Sequence, residues 1–212
     1  MTNFFRWCTI FLILLATTTA QAESLTGLYN EAEVLEKDGF YSEAAEAYEK
    51  VLKAQAKGEE AHLARLKLSS LYLRLFRLQE GVEKAREVAE QDPENFDAFF
   101  HLANAYAVMK RYPEAAEAFG KTAQIRPDEG LGLMGQALAM FADNKLDAAV
   151  ELVLKAKDLF KKKRNIPWHR NARIMVNQMN NFEKYPDSFA HLWLENNFKL
   201  IAETYQKAIF NH

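Results

Sequence analysis

Residues 99–127 read FFHLANAYAVMKRYPEAAEAFGKTAQIRP and contain two apolar stretches on either side of a short polar turn. In both stretches the apolar residues recur three or four positions apart, which is the spacing of one face of an α-helix. Small residues such as Ala115 leave room for two helices to approach closely, and Tyr106 and Phe119 would fill the space between them. Pro127 ends the second stretch, because proline cannot continue a helix. The segment therefore predicts a helical hairpin.

The same order of residues returns along the chain with a fixed period of 34, as from Tyr72 to Tyr106. Large, small and proline positions all recur with this period: Tyr72, Tyr106 and Met140; Gly81, Ala115 and Ala149; Pro93 and Pro127. The step from the first segment to the second is 37, as from Ala44 to Gly81, so three extra residues fall near 58–60. One hairpin cannot bury its apolar face alone, so neighbouring hairpins are expected to stack. Four repeats are predicted, at about 25–58, 62–95, 96–129 and 130–163.

This pattern resembles the tetratricopeptide repeat (TPR) family, whose repeats carry a large residue, Leu-Gly or Leu-Ala, Tyr, Ala, Phe and Pro in that order. The third repeat matches at every one of these positions, and the resemblance covers about residues 25–160. It implies an all-α protein, a right-handed superhelix of about four helix-turn-helix repeats over residues 23–160. The first and fourth repeats depart from the pattern. Glu31 and Gln136 occupy leucine positions, and Ala56 and Lys161 occupy the positions of the closing prolines.

Residues 161–212 do not continue the repeat and are predicted to form a C-terminal helical cap. Helices are expected from about Trp168 to Asn181 and from about Asp187 to Phe210. Trp193 lies among large apolar residues of the second helix, a pattern that fits a capping helix or, alternatively, a helix for partner binding or self-association. The basic cluster at 161–164 is expected to be a solvated helix end, with an anionic-surface role as the alternative.

Residues 1–22 have the three parts of a secretory signal peptide. Arg6 gives a positive start, WCTIFLILLA at 7–16 is an apolar run, and Ala20-Gln21-Ala22 is a small-x-small site for signal peptidase. The run has about half of the ~20 residues that a membrane-spanning helix requires. We therefore expect cleavage after Ala22 and export to the bacterial periplasm, or secretion, without a permanent membrane anchor.

Composition argues against several classes of site. The single cysteine, Cys8, lies in the predicted signal peptide, so the mature chain would have no disulfide and no thiolate nucleophile or metal ligand. A formal net charge of −2 gives no basic field for nucleic acid. The five histidines show no metal-ligand spacing, and the pair of His191 and Glu195 fits a contact on a helix surface. Neither an enzyme nor a metal or cofactor site is predicted.

Two patterns typical of nucleotide binding fail on their context. Residues 130–135 read GLGLMG and match G-x-G-x-x-G, but that motif requires a strand to deliver its glycines to a phosphate. A helical repeat precedes it here. Gly120-Lys121-Thr122 resembles the end of a P-loop, but Ala115 replaces the first glycine of that motif within a regular helical stretch. Neither pattern predicts a phosphate site.

The resemblance also implies a binding surface, because the first helix of each TPR lines a concave groove. Carried over by position, it implies ten partner-binding residues: Tyr29, Leu66, Leu73, Arg74, Phe100, Asn104, Leu131, Met134, Leu138 and Phe141. The family's clamp for a terminal carboxylate is absent apart from Asn104, so a reader of chaperone tails is not expected. The last four of the ten form an apolar stripe. Either the C-terminal helices cover this stripe, or it is free for a partner's helix or extended peptide.

These features predict a non-enzymatic scaffold or adaptor in the periplasm, with an unnamed partner protein in the groove. The alternative is a soluble carrier that encloses a small apolar ligand, and the apolar stripe is what suggests it. Self-association through the helix at 187–210 is compatible with either function.

Overall fold

The computed structural model describes residues 25–210, and the predicted signal peptide with Cys8 lies outside this range. Within the range the secondary structure is helical, without strands. The helices are α1 (25–37), α2 (Tyr41–Ala54), α3 (Glu59–Arg74), α4 (Leu78–Gln91), α5 (Phe96–Val108), α6 (Tyr112–Ile125), α7 (Gly130–Ala142), α8 (Leu146–Lys162), α9 (Ile166–Asn180) and α10 (Asp187–Phe210), with a 3-10 turn at Phe182–Lys184. The all-helical fold class and the helix-turn-helix repeats predicted from the sequence are confirmed.

The chain divides into two compact units, with the boundary between Arg77 and Leu78. The first unit contains α1 to α3. Its core holds fully buried Tyr48 and Leu68 together with alanines such as Ala44, which allow the helices to approach closely. The aromatic and aliphatic residues that the repeat pattern placed between helices are therefore the residues that stabilise this unit.

In the second unit, each helix from α4 to α9 packs against the next one in the sequence. Fully buried Phe119, Val153 and Met175 on α6, α8 and α9 have a relative exposure of 2% or less. The last helix, α10, departs from this succession and packs against α5 and α7. The unit is therefore a stack of neighbouring helices with one helix returned across it.

A left-handed residue recurs at the turn within each predicted repeat. Gly39, Phe76, Lys110 and Asn144 have φ between 57° and 85° and follow one another in steps of 37, 34 and 34, the same steps as the repeats. At Asn144 the backbone N–H donates to the carbonyl of Phe141, and the next N–H donates to the carbonyl of Met140, at 3.0 and 2.9 Å. The other three turns have the same pair of bonds. This arrangement satisfies carbonyl groups that the end of a helix leaves unpaired.

The three glycines of the G-x-G-x-x-G match lie inside α7. A Cβ atom at each would collide with a side chain of a neighbouring helix: Gly130 with Phe160, Gly132 with Thr122 and Gly135 with Phe119. The glycines therefore let α7 approach α6 on one side and α8 on the other. Close helix packing explains the three glycines of this motif.

A candidate partner-binding groove on α5 and α7

The predicted partner-binding residues of the second unit lie on α5 and α7, which contact one another. Phe100, Met134 and Leu138 have no exposed surface, and Leu131 keeps 7% of its surface exposed. Phe141, at the end of the stripe, is half-buried. The structure thus brings the stripe together on one helix, and most of it is buried within the chain.

The helix α10 covers this face with aromatic side chains. Tyr205 lies 3.9 Å from Phe100, and Trp193 lies 5.5 Å from Phe141, measured between ring centroids. Phe198, between them in the sequence, stacks at 6.3 Å from Phe119 of α6. We call the surface formed by the inner sides of α5 and α7, together with Gln178 of α9 at one end, the α5–α7 groove. Of the two alternatives for the apolar stripe, the structure has the C-terminal helix lying on it.

Each end of this contact has a hydrogen bond. The Tyr205 hydroxyl donates to the carboxylate of Asp97 on α5. At the other end, the Trp193 indole N–H donates to the side-chain oxygen of Gln178 on α9 at 2.8 Å. Burial, with the neighbouring Asp97 carboxylate, raises the pKa of Tyr205, so its hydroxyl stays protonated and can donate. The groove therefore has an apolar floor and a hydrogen-bond acceptor at each end.

His101 is buried in α5 beside this contact, with its ring 6.2 Å from that of Tyr205. Burial lowers the pKa of His101 to about 4, and the opposing influence of the Asp97 carboxylate is smaller. The imidazole is therefore neutral at physiological pH. Adding a proton would place a positive charge at a buried position, and the cost of that burial exceeds the attraction of the Asp97 carboxylate.

Acid is expected to destabilise the second unit through His101. Its pKa is about 4 in the folded chain, against the ordinary value of 6.5, so the unfolded state takes up the proton first as the pH falls. Above about pH 6.5 His101 does not lower the free energy of unfolding of the second unit. As the pH falls from there to about pH 4, that free energy decreases progressively, by about 3 kcal/mol in all. The mature chain's tryptophans, Trp168 and Trp193, both lie in this unit, so fluorescence-monitored denaturation measures its free energy of unfolding.

The control for this prediction is His101→Gln, which keeps a neutral polar side chain and removes the titration. Both proteins lose stability in acid for other reasons, so the quantity to compare is the difference between them at pH 7 and at pH 4. Identical pH dependence of the two proteins would contradict a neutral buried histidine at this position.

Asn104 was the one residue shared with the family's carboxylate clamp. Its side-chain amide donates to the carbonyl of Phe100 at 2.7 Å, and 8% of the residue is exposed. The side-chain amide of Asn104 is therefore hydrogen-bonded to the backbone of its own helix.

The predicted partner-binding residues of the first unit are only half-buried. They are Tyr29 on α1 and Leu66, Leu73 and Arg74 on α3. The Arg74 guanidinium lies 5.1 Å from the ring centre of Tyr41, a cation–π distance that holds the aromatic ring and the charge together. These four side chains stay candidates for partner binding, since they retain accessible surface.

A buried carboxylate organises the polar side of this unit. Glu36, 6% exposed, accepts hydrogen bonds from the Tyr48 hydroxyl at 3.0 Å and from the Lys67 ammonium at 3.1 Å. Tyr29 meets the edge of Tyr48 with ring centroids 5.4 Å apart, and burial with nearby carboxylates raises the pKa of Tyr29 to about 12. The first unit therefore combines aromatic rings with paired charges, in contrast to the apolar floor on α5 and α7.

Four residues at the α5–α7 groove were not selected from the sequence: Asp97, His101, Gln178 and Tyr205. Tyr205 meets Asp97 and His101, and Trp193 meets Gln178, because α10 returns across the stack. Tyr205 and Asp97 are 108 positions apart, so no local pattern connects them. The only available signal was the run of large apolar residues around Trp193, which predicted a buried helix face but gave no site for it.

Two further features bear on the classes of function. Within the described residues, no three side chains of histidine, cysteine, aspartate or glutamate converge as a metal site would require. The side chain of His191 lies outside the described part of the chain. None of the helices in that part combines the length and the apolar character needed to cross a membrane.

Comparison with known families gives one match over most of the chain. A family model described as tetratricopeptide repeat matches residues 29–95, 66–130 and 100–163. DnaJ homolog subfamily C member 3 of Homo sapiens is 29% identical over 105 residues, which are 49% of this chain and 21% of that protein. Its counterpart in Rattus norvegicus is 28% identical over 100 residues, 47% of this chain and 20% of that protein. The chain therefore spans about a fifth of these relatives.

Solved structures with a similar fold include MamA from Desulfovibrio magneticus RS-1. It has a TM-score of 0.65 at 17% identity, covering 86% of this chain and 96% of that one. YrrB, described as a TPR protein with an unusual peptide-binding site, has a TM-score of 0.58 at 18% identity, covering 64% of this chain and 68% of that one. At these identities the similarity shows the fold alone.

Proposed function

The chain belongs to the tetratricopeptide repeat family, and on this basis we propose that it is a non-enzymatic adaptor that binds a partner protein in the bacterial periplasm. Proteins of this repeat family stack helices into surfaces that take up segments of other proteins. Each unit has its own candidate surface for a partner, the inner sides of α1 and α3 in the first unit and of α5 and α7 in the second.

One observation carries this proposal: the α5–α7 groove already holds an α-helix. The α5–α7 groove has aromatic residues on its floor and a hydrogen-bond acceptor at each end, as found where a protein groove binds an amphipathic helix. A surface of this chemistry binds a peptide segment without any catalytic group. The half-buried Tyr29, Leu73 and Arg74 supply accessible contacts on the first unit.

The proposed location depends on the sequence of residues 1–22. A positive start, a short apolar run and a small-x-small site together make an export signal. A mature chain without cysteine is also compatible with an oxidising compartment, since it has no thiol to oxidise. Cell fractionation with mass spectrometry tests this part: a protein starting at Glu23 in the periplasmic fraction is expected, and an uncleaved cytoplasmic protein would refute it.

Site-specific photo-crosslinking in the native cells tests the partner surface. A photoreactive phenylalanine analogue at Leu73 tests the candidate surface of the first unit, and one at Phe141 tests that of the second. Capture of an envelope protein is expected from at least one of these positions. At Phe141 a product within the chain, with α10, is expected as well. The matched control positions are Leu154 and Ile174, which are 38% and 48% exposed on α8 and α9, outside the proposed face.

The outcomes separate the two candidate functions. Capture from the control positions alone would place the partner elsewhere on the protein, and the proposed site would be wrong. If no position captures a protein, while native mass spectrometry of the purified chain shows an added small-molecule mass, the function is that of a carrier for an apolar ligand.

A further inference from the structure

The contacts that hold α10 describe the chemistry of a ligand for the α5–α7 groove. We propose that the partner segment is an amphipathic α-helix with the same pattern as α10, and that it binds by replacing α10 in the groove. This inference rests on the proposed function and makes the class of partner specific.

The floor of the groove selects for aromatic and aliphatic side chains on one face of a helix. The buried face of α10 consists of Trp193, Phe198, Ile201 and Tyr205, each 7% exposed or less. Trp193 and Tyr205 contact Phe141 and Phe100 of the groove, and Phe198 contacts Phe119 of the adjoining α6. Their positions follow the steps i, i+5, i+8 and i+12, which place them along one side of a helix. A ligand helix therefore needs four large apolar residues in this order.

The two ends of the groove set the length and the orientation of the ligand. Asp97 accepts a hydrogen bond from a tyrosine hydroxyl, and Gln178 accepts one from an indole N–H. The two donors are separated by about 18 Å along a helix, at the usual rise per residue. A helix with a tryptophan at position i and a tyrosine at i+12 satisfies both acceptors. A ligand helix that runs in the same direction as α10 brings its tryptophan to Gln178 and its tyrosine to Asp97.

The packing of α10 is of a kind that permits exchange. The helices from α4 to α9 pack one on the next without any need for α10. The covalent connection of α10 to them is the segment 181–186. The contacts of α10 with α5 and α7 are made by side chains, as between two separate proteins. The opposite side of α10 is solvent-exposed, as at Leu192, which is 60% exposed. The helix therefore acts as a tethered ligand whose high local concentration a free partner must overcome.

Replacement has a thermodynamic consequence that a permanent cap would not have. The apparent affinity of a free helix equals its intrinsic affinity reduced by the fraction of chains whose groove is open. Weakening α10 opens more grooves and strengthens the binding of an added helix. The same change made in the added helix weakens its binding.

In the experiment, the protein Glu23–His212 is titrated into a fluorescent peptide that has the sequence of residues 187–210. Tyr205→Phe in the chain removes the hydroxyl that donates to Asp97 and keeps the ring contacts. It is expected to tighten peptide binding by about tenfold, because a hydrogen bond to a charged group is lost from α10 alone. Tyr205→Phe in the peptide is expected to weaken binding by a similar factor. With both changes together the affinity returns to that of the unchanged pair.

Two further variants complete the test. Trp193→Phe in the chain removes the donor to Gln178 and is expected to act in the same direction as Tyr205→Phe. Leu192→Ala, on the exposed side of α10, is the matched control and should leave peptide affinity unchanged in either molecule.

If the peptide binds none of these chains, or if Tyr205→Phe in the chain fails to tighten binding, α10 is a fixed cap and the inference is wrong. Failure of peptide exchange together with crosslinking of an envelope protein would leave the proposed function standing. The converse result, peptide exchange without any captured protein, would support the groove chemistry and remove the adaptor function.

Discussion

Phe100→Ala is expected to lower the free energy of unfolding of the second unit by about 4 kcal/mol, the loss found when a large buried aromatic residue is truncated. The Phe100 side chain is fully buried, and its ring contacts Phe96, Phe119 and Tyr205. These residues belong to α5, α6 and α10, so one ring connects the repeat stack to the returned helix. Denaturant unfolding followed by the fluorescence of Trp168 and Trp193 measures the loss.

The neighbouring residue provides the matched control. Phe99 lies on the same helix and is only half-buried, so Phe99→Ala should cost less than half as much. Equal losses for the two variants would mean that Phe100 is not the centre of this packing.

The repeat was predictable because the same residue types recur at fixed steps along the sequence. The left-handed turn residues follow one another in steps of 37, 34 and 34, and the small positions Ala44, Gly81, Ala115 and Ala149 show the same steps. Alternation of apolar and polar residues at helical spacing predicts the buried side of each helix. Phe119 and Ala115, which were expected between helices, are both fully buried.

The destination of α10 was not predictable in the same way. The spacing of Trp193, Phe198, Ile201 and Tyr205 marks a buried face, but any complementary surface would satisfy it. The choice of α5 and α7 depends on side chains far earlier in the sequence, from 52 positions for Trp193 and Phe141 to 108 for Tyr205 and Asp97. The spacing of apolar residues predicts which side of one helix is buried, but it does not predict which distant residues that side contacts.

The same distinction applies to the candidate site. Position within the repeat predicted which residues lie on the inner helices, and Phe100, Met134 and Leu138 do lie on α5 and α7. The pattern could not tell whether they face solvent or another helix of the chain, because both arrangements need the same apolar residues. Their role in partner binding stays a prediction, and the peptide exchange above is its most direct test.

Gly135→Leu is expected to lower the free energy of unfolding of the second unit by about 4 kcal/mol through overpacking. A Cβ atom at this position would lie 2.6 Å from the Cδ1 atom of Phe119, far inside van der Waals contact. The Phe119 ring cannot move away, because it is fully buried against Phe100 and Phe198. The helices α6 and α7 would have to separate, and the measurement is again denaturant unfolding followed by tryptophan fluorescence.

Gly120→Leu is the matched control, since it makes the same chemical change on the facing helix. A Cβ atom at Gly120 would meet only the side-chain amide of Gln136, the mobile end of a flexible side chain. That amide can move, and leucine favours a helix over glycine by roughly 0.8 kcal/mol, so this variant should be near neutral. A tolerated Gly135→Leu would show that the glycine is not required for the approach of α6 and α7, and the G-x-G-x-x-G match would again need an explanation. A loss confined to Gly135→Leu establishes that the motif exists for helix packing, the same close packing that forms the floor under α10.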